Sequence, residues 1–121
     1  MSKNIIIAED SSVIQNLIKK ILLELDCKTI GVKNGIDLLN KLDKESFDLI
    51  LLDINIPKKN GLECIKEIRK KFTPQELPVL AVTGNADNFS EEQFKEFGFN
   101  DLVLKPINFD SLVADVSKWL D

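Results

Sequence analysis

Five side chains in this sequence could perform chemistry together if the fold brings them to one place. Each stands directly after a short apolar segment, and they are Glu9, Asp10, Asp53, Thr83 and Lys105. Three are carboxylates, which can bind a divalent cation through oxygen or attack phosphorus as a nucleophile. The other two supply a hydroxyl group and an ammonium group. These residue types suit the transfer of a phosphoryl group onto a carboxylate.

The charges of such a cluster indicate which cation it would hold. Three adjacent carboxylates repel one another unless a cation neutralises them, and Mg²⁺ prefers oxygen ligands and substrate phosphate oxygens. The formal charges of three carboxylates, one Mg²⁺ ion and the Lys105 ammonium group cancel. Asp53 is then the candidate nucleophile, which would form an aspartyl phosphate. Mg²⁺ and Lys105 would stabilise charge on the transferred oxygens, and Thr83 could donate a hydrogen bond to one of them.

The apolar segments that precede these residues are typical of buried strands. Four of the five are nearly continuous in Ile, Leu and Val, as expected where a parallel sheet is covered on both faces. The second is weaker, which predicts an edge strand. The predicted strands are Asn4–Ala8, Thr29–Val32, Asp48–Leu52, Val79–Val82 and Leu102–Leu104.

Helical patterns alternate with the strands. The first has an apolar stripe made of Ile14, Leu17, Ile18, Ile21, Leu22 and Leu25, with Ser11 or Ser12 as its cap. The predicted helices are Ser12–Leu25, a segment from Gly35 through Leu42, Gly61–Phe72, Ser90–Phe97 and a segment from Asp110. Strict alternation predicts an α/β domain with a parallel sheet and helices on both faces. Ligands of such sheets bind at the carboxyl ends of the strands, where all five candidate residues would lie.

Taken one at a time, these residues have ordinary explanations. Asp10 could cap the first helix, Asp53 could be a turn residue before Pro57, and Lys105 could be a solvated surface charge. Thr83 alone indicates nothing. The combination favours a functional cluster, because chance would have to place every residue at the end of the correct strand.

Composition excludes several other classes of protein. The net charge of −4 argues against direct nucleic-acid binding. Apolar runs such as Leu49–Leu52 are too short to span a bilayer, and the start lacks the features of a signal peptide, so a cytoplasmic location is expected. The absence of histidine excludes Ser-His-Asp and Cys-His catalysis. Cys27 and Cys64 are expected to be small buried hydrophobic residues.

Together, the motifs resemble the receiver domain of two-component response regulators, a flavodoxin-like family. The motifs are Ile5–Ser11, Asp48–Pro57 with Asn60-Gly61, Ala81–Gly84 and Leu104–Pro106. The resemblance covers essentially the whole chain, residues 1–121, as one receiver domain. It implies a doubly wound sheet of five parallel strands in the order 2-1-3-4-5, with five helices.

The resemblance also implies a role for each matching residue. Glu9 and Asp10 match the Mg²⁺-binding acidic pair, and Asp53 matches the phosphoacceptor, which also contacts the metal. The backbone carbonyl of Asn55 would complete the metal site. The remaining matches are Thr83, the hydroxyl residue that shifts toward the phosphoryl group, Lys105, the lysine that contacts it, and Pro106, which usually follows a cis peptide bond.

The partners implied are a sensor histidine kinase or a histidine phosphotransfer protein, which would supply a phosphohistidine, and an unidentified downstream protein. The module would be a signalling receiver rather than an enzyme, although it would promote its own phosphorylation and dephosphorylation. Its response would alter the surface around the fourth helix, fifth strand and fifth helix. A single-domain regulator is expected, with a fragment of a longer regulator or hybrid kinase as the alternative.

The chain departs from the family pattern at Leu102, at Gly84 and at the pair Lys58-Lys59, and three alternative functions remain open. Leu102 occupies a position where receivers often carry Tyr or Phe. A flavin-binding module is disfavoured because Glu9 and Asp10 would repel a phosphate. A phosphatase with an Asp-x-Asp motif is disfavoured because Asn55 replaces its general acid–base. The third alternative is a pseudo-receiver, an interaction module that is not phosphorylated.

Overall fold

Strands and helices alternate along the whole described chain, which comprises residues 3–84 and 89–120 of a computed structural model. The elements are β1 (Lys3–Ala8), α1 (Ser12–Leu22), β2 (Cys27–Val32), α2 (Gly35–Lys44), β3 (Leu49–Asp53), α3 (Gly61–Lys71), β4 (Val79–Thr83), α4 (Glu91–Phe97), β5 (Asp101–Leu104) and α5 (Phe109–Leu120).

The strands form one sheet in which all neighbouring strands are parallel. Their order is β2-β1-β3-β4-β5, which confirms the predicted fold class and strand order. Every residue of β3 and β4 is buried, as the continuous apolar runs indicated. The weaker β2 lies at one edge of the sheet, as predicted.

Two hydrophobic cores lie on opposite faces of the sheet, since alternate residues of each strand belong to different cores. One core joins α2, α3 and α4 to the sheet through residues such as Leu38, Ile65 and Phe94. The other joins α1 and α5 to it through residues such as Ile18 and Val116. Burial of these apolar surfaces is the main stabilising contribution, at about 25 cal/mol per Å².

The first helix differs from its prediction in its length and in the residues that it buries. It ends at Leu22, and a single 3-10 turn over Leu23–Leu25 follows. Asp26 then adopts a left-handed conformation with φ 51°, which Asp tolerates better than most residues. This turn lets β2 begin at Cys27, two residues earlier than predicted. Leu17, assigned to the buried stripe, is 42% exposed.

The two cysteines are both free, as expected, but only one is fully buried. Burial raises the pKa of the Cys64 thiol to about 11. Cys27 is half-buried at the start of β2, so the prediction of two buried cysteines is wrong for this residue.

None of the described helices combines the length and the apolar character needed to cross a membrane. The location of the protein stays a prediction from the sequence.

Arg69 on α3 connects the loops that precede β4 and β5. Its Nη1 group donates hydrogen bonds to the carbonyl oxygens of Thr73 at 3.2 Å and Leu77 at 2.9 Å. Its Nε donates to the Gly98 carbonyl at 2.8 Å, and Nη2 donates to Asn100 Oδ1 at 2.9 Å. Burial lowers the pKa of this guanidinium to about 10, which leaves it charged near neutral pH. One side chain thus fixes where two strands start.

We expect Arg69→Gln to lower the free energy of unfolding by about 2–3 kcal/mol, because several carbonyl groups lose a charged donor. Lys66→Gln removes the same charge from an exposed position on the same helix and should change stability by less than about 0.5 kcal/mol. Urea unfolding monitored by circular dichroism measures both. Equal stability of the two variants would contradict the role of Arg69.

Candidate functional site

The register of the sheet brings the functional candidates together at the carboxyl ends of the strands. The last residue of β1 is paired with the residue before Asp53, so Glu9 and Asp53 lie at the same level on neighbouring strands. Thr83 ends β4, and Lys105 directly follows β5. The expected convergence at the carboxyl ends of the strands is therefore present.

Three carboxylates form the centre of this site. One ligand oxygen from each of Glu9, Asp10 and Asp53 lies within 4.8 Å of the others. Glu9 and Asp53 are only 2% and 4% exposed, respectively, whereas Asp10 is exposed. Asp10 is not the helix cap, because Ser11 Oγ accepts the hydrogen bond from the Ile14 N–H group. The ordinary explanation of Asp10 thus does not apply.

Lys105 places its ammonium group between the two buried carboxylates. Its Nζ lies 3.0 Å from Asp53 Oδ2, to which it donates a hydrogen bond. It also lies 2.9 Å from Glu9 Oε1, but without the alignment of a hydrogen bond. Among the described residues, Glu9 Oε1 is a buried oxygen with no hydrogen-bond partner.

Burial and neighbouring charges both change the pKa values of Glu9 and Lys105. Burial raises the pKa of the Glu9 carboxyl above its ordinary value, although the Lys105 ammonium opposes that rise. Burial lowers the pKa of Lys105, but the two carboxylates more than offset this, so its pKa is raised. Lys105 is therefore firmly protonated at neutral pH.

Backbone groups fix the orientation of Asp53. The Asn55 N–H group donates a hydrogen bond to Asp53 Oδ1 at 3.0 Å. The Gly61 N–H group donates to the Ile54 carbonyl at 2.9 Å, which closes the loop after β3. A Cβ atom at Gly61 would lie 2.9 Å from the Asp53 carbonyl oxygen and 2.7 Å from Ile54 Cα. Only glycine fits here without a shift of the acceptor loop.

Thr83 lies beside a small cavity of about 140 Å³ between β3 and α4, lined also by Ile54, Asn55, Leu62, Phe89 and Phe94. Thr83 is buried, and its carbonyl oxygen accepts a hydrogen bond from the Lys105 N–H group at 2.9 Å. The next peptide bond, Lys105–Pro106, is cis, as the resemblance implied.

An aromatic cluster adjoins this cavity. Phe89 contacts Phe94 and Phe97 edge to face, with ring centroids 5.7 and 5.2 Å apart. Phe94 contacts Phe99 in the same way at 5.9 Å. Leu102 on β5 is half-buried and packs against the same core. Aromatic side chains therefore do lie next to Thr83, but they come from the region of α4 rather than from β5.

The donors of the acidic cluster fit a hard divalent cation. All three groups are carboxylates, which suit Mg²⁺ better than softer metals. Glu9 Oε1 is the second indication, because this buried oxygen has the Lys105 ammonium 2.9 Å away but accepts no aligned hydrogen bond, whereas buried carboxylate oxygens normally accept one. Asn55 follows directly in the turn after β3, and the role of its carbonyl as a ligand stays a prediction.

Comparison with known proteins identifies the family. The sequence model of the response regulator receiver domain matches residues 5–117. The chain belongs to this family. The polar-differentiation response regulator DivK of Brucella anthropi is 29% identical over 120 residues, which cover 99% of this chain and 98% of that relative. The transcriptional regulatory protein CrdR of Helicobacter pylori is 30% identical over the full chain, which spans 56% of CrdR.

A solved receiver structure shows the same fold. It is the receiver domain of the sensor histidine kinase PA1611 from Pseudomonas aeruginosa PAO1, described with a magnesium ion coordinated in its active-site cleft. It is 28% identical, has a TM-score of 0.88, and matches 99% of this chain and 98% of that one. The receiver assignment and the flavodoxin-like fold predicted from the motifs are confirmed.

Sequence reasoning missed two groups that shape this receiver's site. The Ser11 N–H group donates to Glu9 Oε2 at 3.1 Å. Gln15 is buried, although it is polar and was left out of the apolar stripe. Its spacing could have revealed it, since Gln15 precedes Ile18 by three residues and Leu22 by seven, the period of a buried helical face.

We expect Lys105→Met to destabilise the metal-free receiver, because Glu9 and Asp53 lose their shared counter-charge. The raised folded-state pKa of Glu9 contributes stability at low pH that is lost as the pH rises through that pKa. Removing Lys105 raises this pKa further. The loss should be about 1–3 kcal/mol near neutral pH and should shrink as the pH falls through the raised pKa of Glu9.

Urea unfolding in EDTA at several pH values measures this effect. Lys118→Met is the matched control, because Lys118 is exposed and its Nζ is 4.0 Å from Asp101. The control should change stability by less than about 1 kcal/mol. A deficit for Lys105→Met that does not vary with pH would contradict the electrostatic explanation.

Proposed function

We propose that this receiver accepts a phosphoryl group on Asp53 in an Mg²⁺-dependent reaction, and that phosphorylation switches its binding to a downstream protein. The donor is the phosphohistidine of a sensor histidine kinase or a histidine phosphotransfer protein. The observation that carries the proposal is the buried Asp53 carboxylate, grouped with two further carboxylates and in contact with Lys105. The chain has no histidine, so the phosphohistidine belongs to the partner.

Glu9, Asp10 and Asp53 would hold the Mg²⁺ ion, with the Asn55 carbonyl as a fourth ligand. The magnesium bound in the active-site cleft of the PA1611 receiver supports this assignment. When bound, the ion supplies positive charge to the phosphoryl oxygens in the transition state. The remaining chemistry belongs to side chains of this domain.

In the transfer step, a carboxylate oxygen of Asp53 attacks the phosphorus atom. The new O–P bond forms as the P–N bond to the partner's imidazole breaks, and the electron pair of that bond stays on the imidazole nitrogen. The Asn55 N–H group holds Asp53 Oδ1 and limits rotation of the carboxylate. Orientation of this kind contributes to the rate by making the attack effectively unimolecular.

Lys105 and Thr83 act on the transferred group. Lys105 is charged and already contacts Asp53, so it would interact with a phosphoryl oxygen once the acceptor is esterified. Thr83 would donate its hydroxyl hydrogen to another phosphoryl oxygen, and the cavity beside it offers space for this movement. Through α4 and β5, that movement would alter the α4–β5–α5 surface and the affinity for a downstream partner.

A phosphorylation-independent pseudo-receiver is the second candidate. Leu102 favours it, because the aromatic ring that often responds at this position is absent. Binding of a partner with equal affinity by the unphosphorylated protein and by Asp53→Asn would support this alternative over the first proposal.

Incubation with Mg²⁺ and a small phosphodonor, followed by intact-mass measurement, tests the acceptor. We expect a gain of one phosphoryl group that is lost in Asp53→Asn and in excess EDTA. The matched control is Asp48→Asn, which changes an exposed acid just before the start of the same strand and should leave the gain unchanged. No gain with any donor or metal would refute the proposal, and a gain retained in Asp53→Asn would show a different acceptor.

A further inference from the structure

We propose that Gln15 is a positioning residue for the metal-binding carboxylates, acting through the backbone of the loop between β1 and α1. The inference rests on the proposed Mg²⁺ site. Gln15 would not touch the ion. Its side-chain amide would hold the peptide from which Glu9 and Asp10 project.

Gln15 is buried and both hydrogens of its amide are used. The side chain, on the first turn of α1, is 7% exposed. Its Nε2 group donates to the Glu9 carbonyl oxygen at 3.1 Å and to the Val32 carbonyl oxygen at 3.0 Å. The Glu9 N–H group also donates to the Val32 carbonyl, at 3.0 Å. The amide therefore joins the carboxyl ends of β1 and β2 just where the sheet ends.

Asp10 depends most on this arrangement. Its carboxylate is exposed and forms no hydrogen bond or ion pair with any other residue in the described part of the chain. The backbone alone must therefore place it beside Glu9 and Asp53. Gln15 holds the carbonyl group of the Glu9–Asp10 peptide bond, and this fixes the plane from which the Asp10 side chain leaves.

The other end of the loop is held by Glu9 and by the helix. The Ser11 N–H group donates to Glu9 Oε2 at 3.1 Å, and the Gln15 N–H group donates to the Ser11 carbonyl at 2.9 Å. The side chain of Gln15 thus bonds to the carbonyl group before Asp10, and its backbone N–H group bonds to the carbonyl group of the residue after Asp10. Together these hydrogen bonds enclose Asp10 on both sides. Partners that orient ligands in this way typically change metal affinity by about 10–100-fold.

Gly31 on β2 provides the space for the Gln15 amide. A Cβ atom at Gly31 would overlap Gln15 Oε1 and Cδ and would lie 2.8 Å from Nε2. Gly31 does not have a positive φ, so the glycine is not required by the backbone conformation. Its lack of a side chain serves the fit of Gln15, which gives a way to displace the amide without replacing Gln15.

The first test measures binding of Mg²⁺ alone, without phosphodonor, by isothermal titration calorimetry well below the unfolding temperature. We expect Gln15→Met, which keeps the length but removes the donors, to raise the Mg²⁺ Kd about tenfold. Ile68→Val is the control. It trims a buried residue in the opposite core and lowers stability by about 0.5–1.5 kcal/mol, so its Kd should match wild type.

The second test uses a double-mutant cycle. Gly31→Ala should weaken Mg²⁺ binding several-fold, because the new methyl group displaces the amide. In a Gln15→Ala background the same change should add nothing, because the methyl group enters vacated space. This arm stays informative if Gln15→Met folds poorly.

The outcomes separate the two proposals. If the wild-type protein binds no Mg²⁺, the proposed function fails and this inference fails with it. If the wild type binds Mg²⁺ and both Gln15→Met and Gly31→Ala bind within twofold of it, the inference alone is overturned, and Gln15 serves only stability. Weakened binding in both variants, with an unchanged control, supports the positioning role.

Discussion

The ammonium group of Lys105 lies between the buried carboxylates of Glu9 and Asp53, 2.9 and 3.0 Å from their oxygens. Burial of ionised carboxylates is costly unless charge and hydrogen bonds compensate it. The strand order allows this compensation, because β1 and β3 are neighbours and β5 follows beyond β4. The compensation is incomplete at Glu9. Its Oε1 lies close to the Lys105 ammonium group but accepts no aligned hydrogen bond. That deficit makes the same oxygen available to a cation.

The architecture and the placement of the acidic cluster could be predicted because they follow from short-range patterns and one topological rule. Continuous apolar runs identified β3 and β4, and the rule that ligands bind at the carboxyl ends of parallel strands grouped Asp53 with Glu9. Neither inference needs the identity of a distant contact. The family resemblance then supplied the strand order and the cis peptide bond before Pro106, and both are present.

The features that were missed depend on contacts between residues far apart in sequence. Leu17 looked equivalent to Ile18 in the helical pattern, but only the packing of α1 on the sheet decides which is buried. Gln15 is buried because Gly31, sixteen positions later, leaves room for it. Arg69 gave no signal in the sequence, since most of its acceptors are backbone carbonyl groups and the remaining one, Asn100 Oδ1, lies 31 positions away. Periodicity could have placed Gln15 on the buried face of α1, but neither propensity nor periodicity identifies the distant residue that a side chain contacts.

The aromatic side chains near Thr83 are unevenly distributed between the two faces of the sheet. On the face covered by α4, Phe89, Phe94 and Phe97 contact one another, and Phe99 contacts Phe94. The methyl groups of Ile54 and Leu62 line the same cavity as two of these rings. Aromatic ring currents shift the proton resonances of methyl groups held against them, and the shift depends steeply on distance and angle. A small displacement of α4 would therefore change the chemical shifts of the methyl protons of Ile54 and Leu62. NMR spectroscopy could follow this movement beside Thr83 without any added label.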